Sequence, residues 1–414
     1  MSSSASVAAS LPPPTPLHIL RSHTSPVSAI AWSDDDERIY SADASGKVIV
    51  TSTRSLRAIT SWMAHTDSIL GVEEWDEYIV THGRDNKLHV WQRIKELPSS
   101  ARIGGSAGLP NLPTPTLCYS LDVNALNFCR FSLLKLSDGT QDNPKRKALV
   151  ALPNLIDSTT ADIWSLPQTD RLHAAIGQET KGLPIVNPNG RNNSGIIMSL
   201  HLYQQGHSNL APSPSEYKSL RILVAYENGS VVLREYTRTA KEISVEGQGW
   251  IILWKSKLHV ESIMAMRVSR ANDFAVTVSA DHIIGRYDLR NGHPPSEERG
   301  VTFRSKHAGN GSIAIRDDGR VCAAGGWDGK IRLFSTKSFK PLGTLKYHKS
   351  ACQCIEFARA FKAPSPIESA GKGDEDDDEY EDLSMDEMSE RSRWLVAGAK
   401  DNRISIWSLM TFEK

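Results

Sequence analysis

One unit recurs along this chain: a histidine, an apolar run, a hydroxyl residue, an aspartate in a tight turn, and an aromatic six positions on. The cleanest copy is AHTDSILGVEEWDEYIVTHGRDNKLHVW, with His65, Thr81, Asp85 and Trp91. The unit returns as His259, Thr277, Asp281 and Tyr287, as His307, Asp328 and Phe334, and as His348, Asp401 and Trp407. His and Asp stand 20 residues apart in the first of these, 22 in the second and 21 in the third. Such a unit cannot bury its own apolar face, so it must stack against copies of itself.

Between these landmarks, β-branched runs alternate with Gly, Asp, Asn and Ser turns, the pattern of short antiparallel strands. The first copy begins at His23 and runs through VSAIAW, RIYSA, the turn Ser45-Gly46, KVIVT and LRAITSW. There Ser45 and Thr51 stand at the Asp and Trp positions, which makes that copy degenerate. From Ser45 to Asp85 is 40 residues, the length of one four-stranded blade. A Ser, Gly and Pro-rich linker follows the second copy and leads to LCYSLD. The third copy is weak: ALNFCRF, KALVALP, TADIWSL and TDRLHAA, with Trp164 at the aromatic position and an irregular turn near Asp157. The fourth reads GIIMSLHLY, LRILVAY, SVVLREY and WIILWK around Asn228-Gly229. The fifth and sixth follow the unit closely, and the seventh is split by an acidic insertion at about residues 362–391.

The count fixes the closure. Seven residues follow Trp407, too few for a further turn and strand, while Leu17–Leu20 stands unassigned ahead of the first copy. Pairing the two gives an all-β, seven-bladed β-propeller whose N- and C-terminal strands share the closing blade, so that no sheet edge is left open between them. Residues 1–15 are expected to be a disordered leader and 16–414 the propeller.

A hydroxyl, a histidine and an aspartate are also the parts of a nucleophilic triad. Catalysis needs one such set, however, and this one repeats, which favours a structural relay: Asp accepts from His, His meets the hydroxyl, and the hydroxyl accepts from Trp. No phosphate loop, HExxH or GxSxG elbow occurs. The expectation is therefore no catalytic, cofactor or metal site. Cys352 and Cys354 form a C-x-C, best explained as alternate positions of one strand. The five cysteines show no CxxC pairing, which points to a reducing compartment.

The formal charge of zero conceals an asymmetry. From Asp374 to Glu390, 11 of 17 residues are acidic, and the rest of the chain then holds 48 basic against 37 acidic side chains. No long Lys/Arg stripe suggests direct nucleic-acid binding, and no apolar run approaches the ~20 residues that span a bilayer. Protein partners are the expectation, with no membrane and no small-molecule substrate. Asp374, Glu375, Asp376, Asp377, Asp378 and Glu379 are candidates to dock a basic partner, against a bare spacer as the alternative. The cluster from Pro144 to Lys147 is a candidate nuclear import signal.

The repeats resemble the WD-repeat superfamily over nearly the whole chain. More narrowly, four segments are similar in order to the ASTRA-associated protein 1 family of fungi: PTPLHILRSHTSPVSAIAWS, LRAITSWMAHTDSILGVEEWDEYIVTHGRDNKLHVWQ, GRVCAAGGWDGKIRLFSTKSFKPLGTLKYHKSACQCIEFA and WLVAGAKDNRISIWSL. That family is similar to animal G-protein β-subunit-like protein 1. The resemblance implies a non-enzymatic nuclear subunit of the ASTRA assembly, linked to chromatin remodelling. It further implies a role, with the TTT cochaperone, in maturation of phosphatidylinositol 3-kinase-related kinases. A ubiquitin-ligase substrate receptor is an alternative, since Tyr287-Asp288-Leu289-Arg290 fits the W-D-x-R pattern once. A G-protein β-like signalling subunit is another, but the first sixteen residues show no heptad for pairing with a γ subunit.

Overall fold

The structure is a computed structural model, and it describes residues 14–95, 112–136, 147–178, 194–206, 219–238, 241–290, 300–360 and 385–410. In chain order, β1 (His18–Leu20) precedes the first blade, β2 (Val27–Trp32), β3 (Arg38–Asp43), β4 (Lys47–Ser52) and β5 (Ala58–Met63). The second blade is β6 (Ile69–Trp75), β7 (Tyr78–Gly83), β8 (Lys87–Gln92) and β9 (Thr116–Asp122). The third is β10 (Ser132–Leu136), β11 (Lys147–Pro153), β12 (Ala161–Leu166) and β13 (Arg171–Ile176). The fourth is β14 (Ile197–Gln205), β15 (Ser219–Tyr226), β16 (Ser230–Tyr236) and β17 (Trp250–Lys257). The fifth is β18 (Ile263–Val268), β19 (Phe274–Ser279), β20 (Ile283–Asp288) and β21 (Gly300–Arg304). The sixth is β22 (Asn310–Ile315), β23 (Val321–Gly326), β24 (Lys330–Ser335) and β25 (Pro341–Lys346). The seventh holds β26 (Cys352–Phe357), β27 (Trp394–Ala399) and β28 (Ile404–Ser408).

These strands form seven four-stranded antiparallel sheets. The order in the last is β1-β28-β27-β26, with His18 opposite Ile406 and Leu20 opposite Ile404. Both ends of the described chain therefore share one blade. The second strands RIYSAD, FAVTVS, VCAAGG and WLVAGA are buried along their whole length. Each is covered on both faces by neighbouring blades, which is why they read as apolar runs rather than as alternation. Seven apolar clusters fill the seven interfaces between blades. Turns between second and third strands and crossings between blades lie on one face of the disc, and the remaining turns lie on the other.

Two expectations need correction. ALNFCRF is not the inner strand of blade three: Asn124 and Asn127 fold their side chains onto the backbone and turn the chain, so the strand starts at Ser132. The insertion is also not irregular to residue 391, since Met385–Arg391 form a helix, α1. Arg391 closes it, buried and donating to Thr53 Oγ1 at 3.1 Å, while Asp386 and Glu387 occupy the favourable N-terminal turn.

One contact links two blades at the rim. Residues 244–247, from the fourth blade, run parallel to the outer edge of β13. Ser244 N donates to Leu172 O (2.8 Å), Ala174 N to Ser244 O (3.0 Å) and Gly247 N to Ala174 O (2.9 Å), and His173 Nδ1 meets Ser244 Oγ at 2.9 Å.

Candidate functional site

The recurring polar residues converge on one face. In blade two, Trp91 Nε1 donates to Thr81 Oγ1 at 2.9 Å, Thr81 lies 2.8 Å from His65 Nε2, and His65 Nδ1 lies 2.8 Å from Asp85 Oδ1. Because Thr81 accepts from Trp91, its proton points to Nε2, and Nδ1–H donates to Asp85. This bonding assigns a neutral imidazole. Burial pushes the His65 pKa down despite the pull of Asp85, in agreement with that assignment. His259 repeats the arrangement with Thr277 (2.8 Å) and Asp281 (3.1 Å), while Tyr287 stacks its ring on Trp254 at 5.8 Å.

The other blades depart from the expected pattern in instructive ways. In blade seven, Ala397 holds the second-strand position and has no hydroxyl. Ser405, its cross-strand partner on β28, supplies one instead: 2.8 Å to His348 Nε2 and 2.9 Å from Trp407 Nε1, with His348 also meeting Asp401 at 3.0 Å. In blade one, Ser45 is not a weak substitute for an acid. Asp43, two residues earlier, takes that role, 2.7 Å from His23 Nδ1, while Ser41 lies 2.8 Å from Nε2. The readable signal was the interval, since His23 and Asp43 are 20 residues apart, like His65 and Asp85.

In blade six the expected pairing fails. His307 is exposed and makes no bond to Asp328. Buried Arg332, cross-strand from Ala324, grips Asp328 at 2.6 Å, and Phe334 packs edge-on to Phe303 at 5.7 Å. A guanidinium has replaced the imidazole. With Lys330, it draws the Asp328 carboxyl down to about 2 against the upward push of burial.

This polar chemistry is used internally. Ligand atoms of His65, Asp85 and His89 lie within 4.8 Å of one another, the arrangement a metal would need. Yet both nitrogens of His65 serve the relay, and His89 Nδ1 is bonded to Ser120 at 2.7 Å. Burial raises the Cys129, Cys322, Cys352 and Cys354 thiols to about 12, far from a reactive thiolate. Cys352 and Cys354 both lie on β26, but a bulge between them breaks simple alternation, so Cys352 packs towards blade six and Cys354 towards blade one. The central channel is lined by ion pairs, Arg130–Glu73 (2.8 Å), Arg267–Glu356 (2.7 Å) and Arg270–Asp317 (2.8 Å).

Buried histidines make stability depend on pH. Burial depresses His82 to about 3 and His173 and His201 to about 4. Unfolded, each protonates near ~6.5. Their stabilising contribution is complete above that value and is lost as pH falls towards the folded values. Asp36 acts in the opposite sense: burial raises it to about 7, so its contribution grows as pH falls through that value. From about pH 7.5 to about pH 5.5, these three histidines and the likewise depressed His65, His89, His259 and His348 together remove more stability than Asp36 returns, so the net effect of acidification is a loss. Urea midpoints should follow this slope. His82→Phe should flatten it and Asp36→Asn should steepen it; a wild-type midpoint that rises on acidification would contradict the accounting.

The acidic candidates Asp374 to Glu379 lie outside the described residues, as do residues 144–146 of the basic cluster. Arg290, the pivot of the W-D-x-R reading, is exposed and forked onto Asp288, with Nε at 3.0 Å.

These features define a class, a propeller of repeats built around structural His–Asp relays. The family model for "WD domain, G-beta repeat" matches residues 14–52 and 302–335. A crystal structure of the Cps50 (Swd1) β-propeller domain from Myceliophteria thermophila superposes with a TM-score of 0.61. It covers 96% of this chain and 100% of that one at 12% identity, a likeness of fold alone. ASTRA-associated protein 1 of Verticillium alfalfae is 33% identical over 96% of this chain and 93% of its own length. The Penicillium rubens protein of the same name is 29% identical, over 96% and 98%. That of Schizosaccharomyces pombe is 26% identical, over 83% and 93%. The chain belongs to the ASTRA-associated protein 1 family, and it is a WD-repeat propeller of the scaffold type.

Proposed function

We propose that this protein is a non-catalytic, nuclear scaffold subunit of the ASTRA assembly, acting in chromatin remodelling. With the TTT cochaperone, it supports maturation of phosphatidylinositol 3-kinase-related kinases. The observation that carries this reading is the 33% identity to an ASTRA-associated protein along 96% of the chain. The relays support it too, because the repeated polar residues are spent on holding blades together. Its partners are proteins, and the acidic stretch from Asp374 to Glu379 suits a basic one. The test is purification of the tagged chain from its own cells followed by mass spectrometry. Subunits of ASTRA and TTT should co-purify. Ubiquitin-ligase adaptors or a γ subunit in their place would replace this reading with one of its alternatives.

A further inference from the structure

The crossing from blade two to blade three contains no relay histidine. Two buried asparagines build it instead. Asn124 Oδ1 accepts from Leu126 N at 2.7 Å, and its amide donates to Asn154 O (2.5 Å) and Ser158 Oγ (3.1 Å). Asn127 Oδ1 accepts from Cys129 N at 2.8 Å, and its amide donates to Ser158 O (3.2 Å) and Ile197 O (3.0 Å). In the facing turn, Asn154 Oδ1 accepts from Ile156 N (3.0 Å) and Asp157 N (2.9 Å). The two loops are thus bonded into one frame.

That frame points apolar side chains outward. Leu126 is 79% exposed, Phe128 50%, Leu155 38% and Ile156 93%. Four large apolar groups held in water on a hydrogen-bonded scaffold are unfavourable, and such patches mark contact surfaces. Beside them, Arg84, from the second-blade turn, lies with its guanidinium 4.0 Å above the Phe128 ring. No carboxylate among the described residues pairs with Arg84. An exposed planar cation resting on an aromatic face selects a carboxylate in bidentate geometry.

We propose that this patch docks a segment of a partner protein bearing two or more large apolar side chains and a carboxylate that meets Arg84. The proposal rests on the scaffold reading above and adds where one partner binds and by what chemistry. A second copy of this chain and a basic or neutral segment are the rival occupants.

The test uses the full chain in its native complex, with a photo-crosslinking amino acid in place of Ile156, and reads the joined segment by mass spectrometry. Cross-links should fall on another protein, at apolar residues with Asp or Glu within about four positions. Ile156→Asp and Arg84→Glu should each lower recovery of that protein at least ~tenfold, and Arg84→Lys, which keeps the charge but loses the fork and the stacking, should fall between Arg84→Glu and the wild type. Unfolding midpoints should not move, because these side chains are exposed. Cross-links to a second copy, or to a segment without an acid, would overturn the proposal. So would undiminished recovery by both variants from an intact complex, which leaves the scaffold reading standing. A wild-type purification that yields no partner would remove the scaffold reading and this proposal together.

Discussion

Replacing Asp43 with alanine should destabilise the propeller by ~3–5 kcal/mol, more than the same change at any other relay aspartate. Asp43 is fully buried, and its carboxylate meets His23 Nδ1 at 2.7 Å. It also accepts from Ser45 N (2.9 Å), Ser45 Oγ (2.6 Å) and Lys47 N (3.2 Å). Burial alone would raise its pKa, yet the bonds from His23 and Ser45 outweigh that and hold it low. Removing the carboxylate leaves a buried imidazole and several turn donors without an acceptor, and each orphan costs ~1–3 kcal/mol before relaxation. Asp85→Ala should cost less, ~1–3 kcal/mol, because Asp85 is partly open to water. Asp328→Ala should also cost less than Asp43→Ala, because the Asp328 side chain is 40% exposed, although buried Arg332 then loses its carboxylate. Equilibrium urea unfolding ranks the three; an Asp43 variant no weaker than the Asp328 variant would refute the blade-one relay.

Deleting residues 1–21 should be as damaging, whereas deleting 1–15 should be tolerated. The longer deletion removes β1, its pairing with β28 from His18 to Leu20, and the Leu17 N bond to Ile406 O at 2.7 Å. It also removes buried Leu20, a side chain whose burial is worth ~1.5–3 kcal/mol. With the lost ladder, the total is ~4 kcal/mol. The second consequence is an unpaired β28, and open edges template association. Light scattering and thermal unfolding of both truncations measure the two effects, and identical monomeric behaviour would show that β1 is dispensable.

The blade count, the closure and the relays of blades two and five were legible because periodic spacing reports them directly; in blade seven the insertion puts His348 and Asp401 53 residues apart, and the turn and aromatic after it carried the reading. Blade one was misread because its turn was aligned to Asp85, while the bonding follows the His-to-Asp interval. Blade six misled in the opposite way: His307 and Asp328 have the interval, but Arg332 reaches the carboxylate from the neighbouring strand, and spacing along one strand does not reveal cross-strand competition. Ser405 was hidden for the same reason, since its hydroxyl replaces one missing at Ala397 across the ladder. Asn127 reads as part of the strand ALNFCRF, and Asn124 is not singled out, because an Asx turn leaves no period.

The rim contact between residues 244–247 and β13 bears on how the ring opens. Blades three and four both lack a His–Asp relay, Asn228 standing at the turn position of the fourth, so by their internal bonds these two sheets would be the first to fray. The outer edge of blade three is instead hydrogen-bonded to chain from blade four, and neither can separate without breaking bonds of the other. The two should therefore behave as one cooperative unit in native-state hydrogen exchange. Amides of Ala174, Ser244 and Gly247 should share a single opening free energy, with the rim segment acting as a latch that makes two relay-free sheets open together.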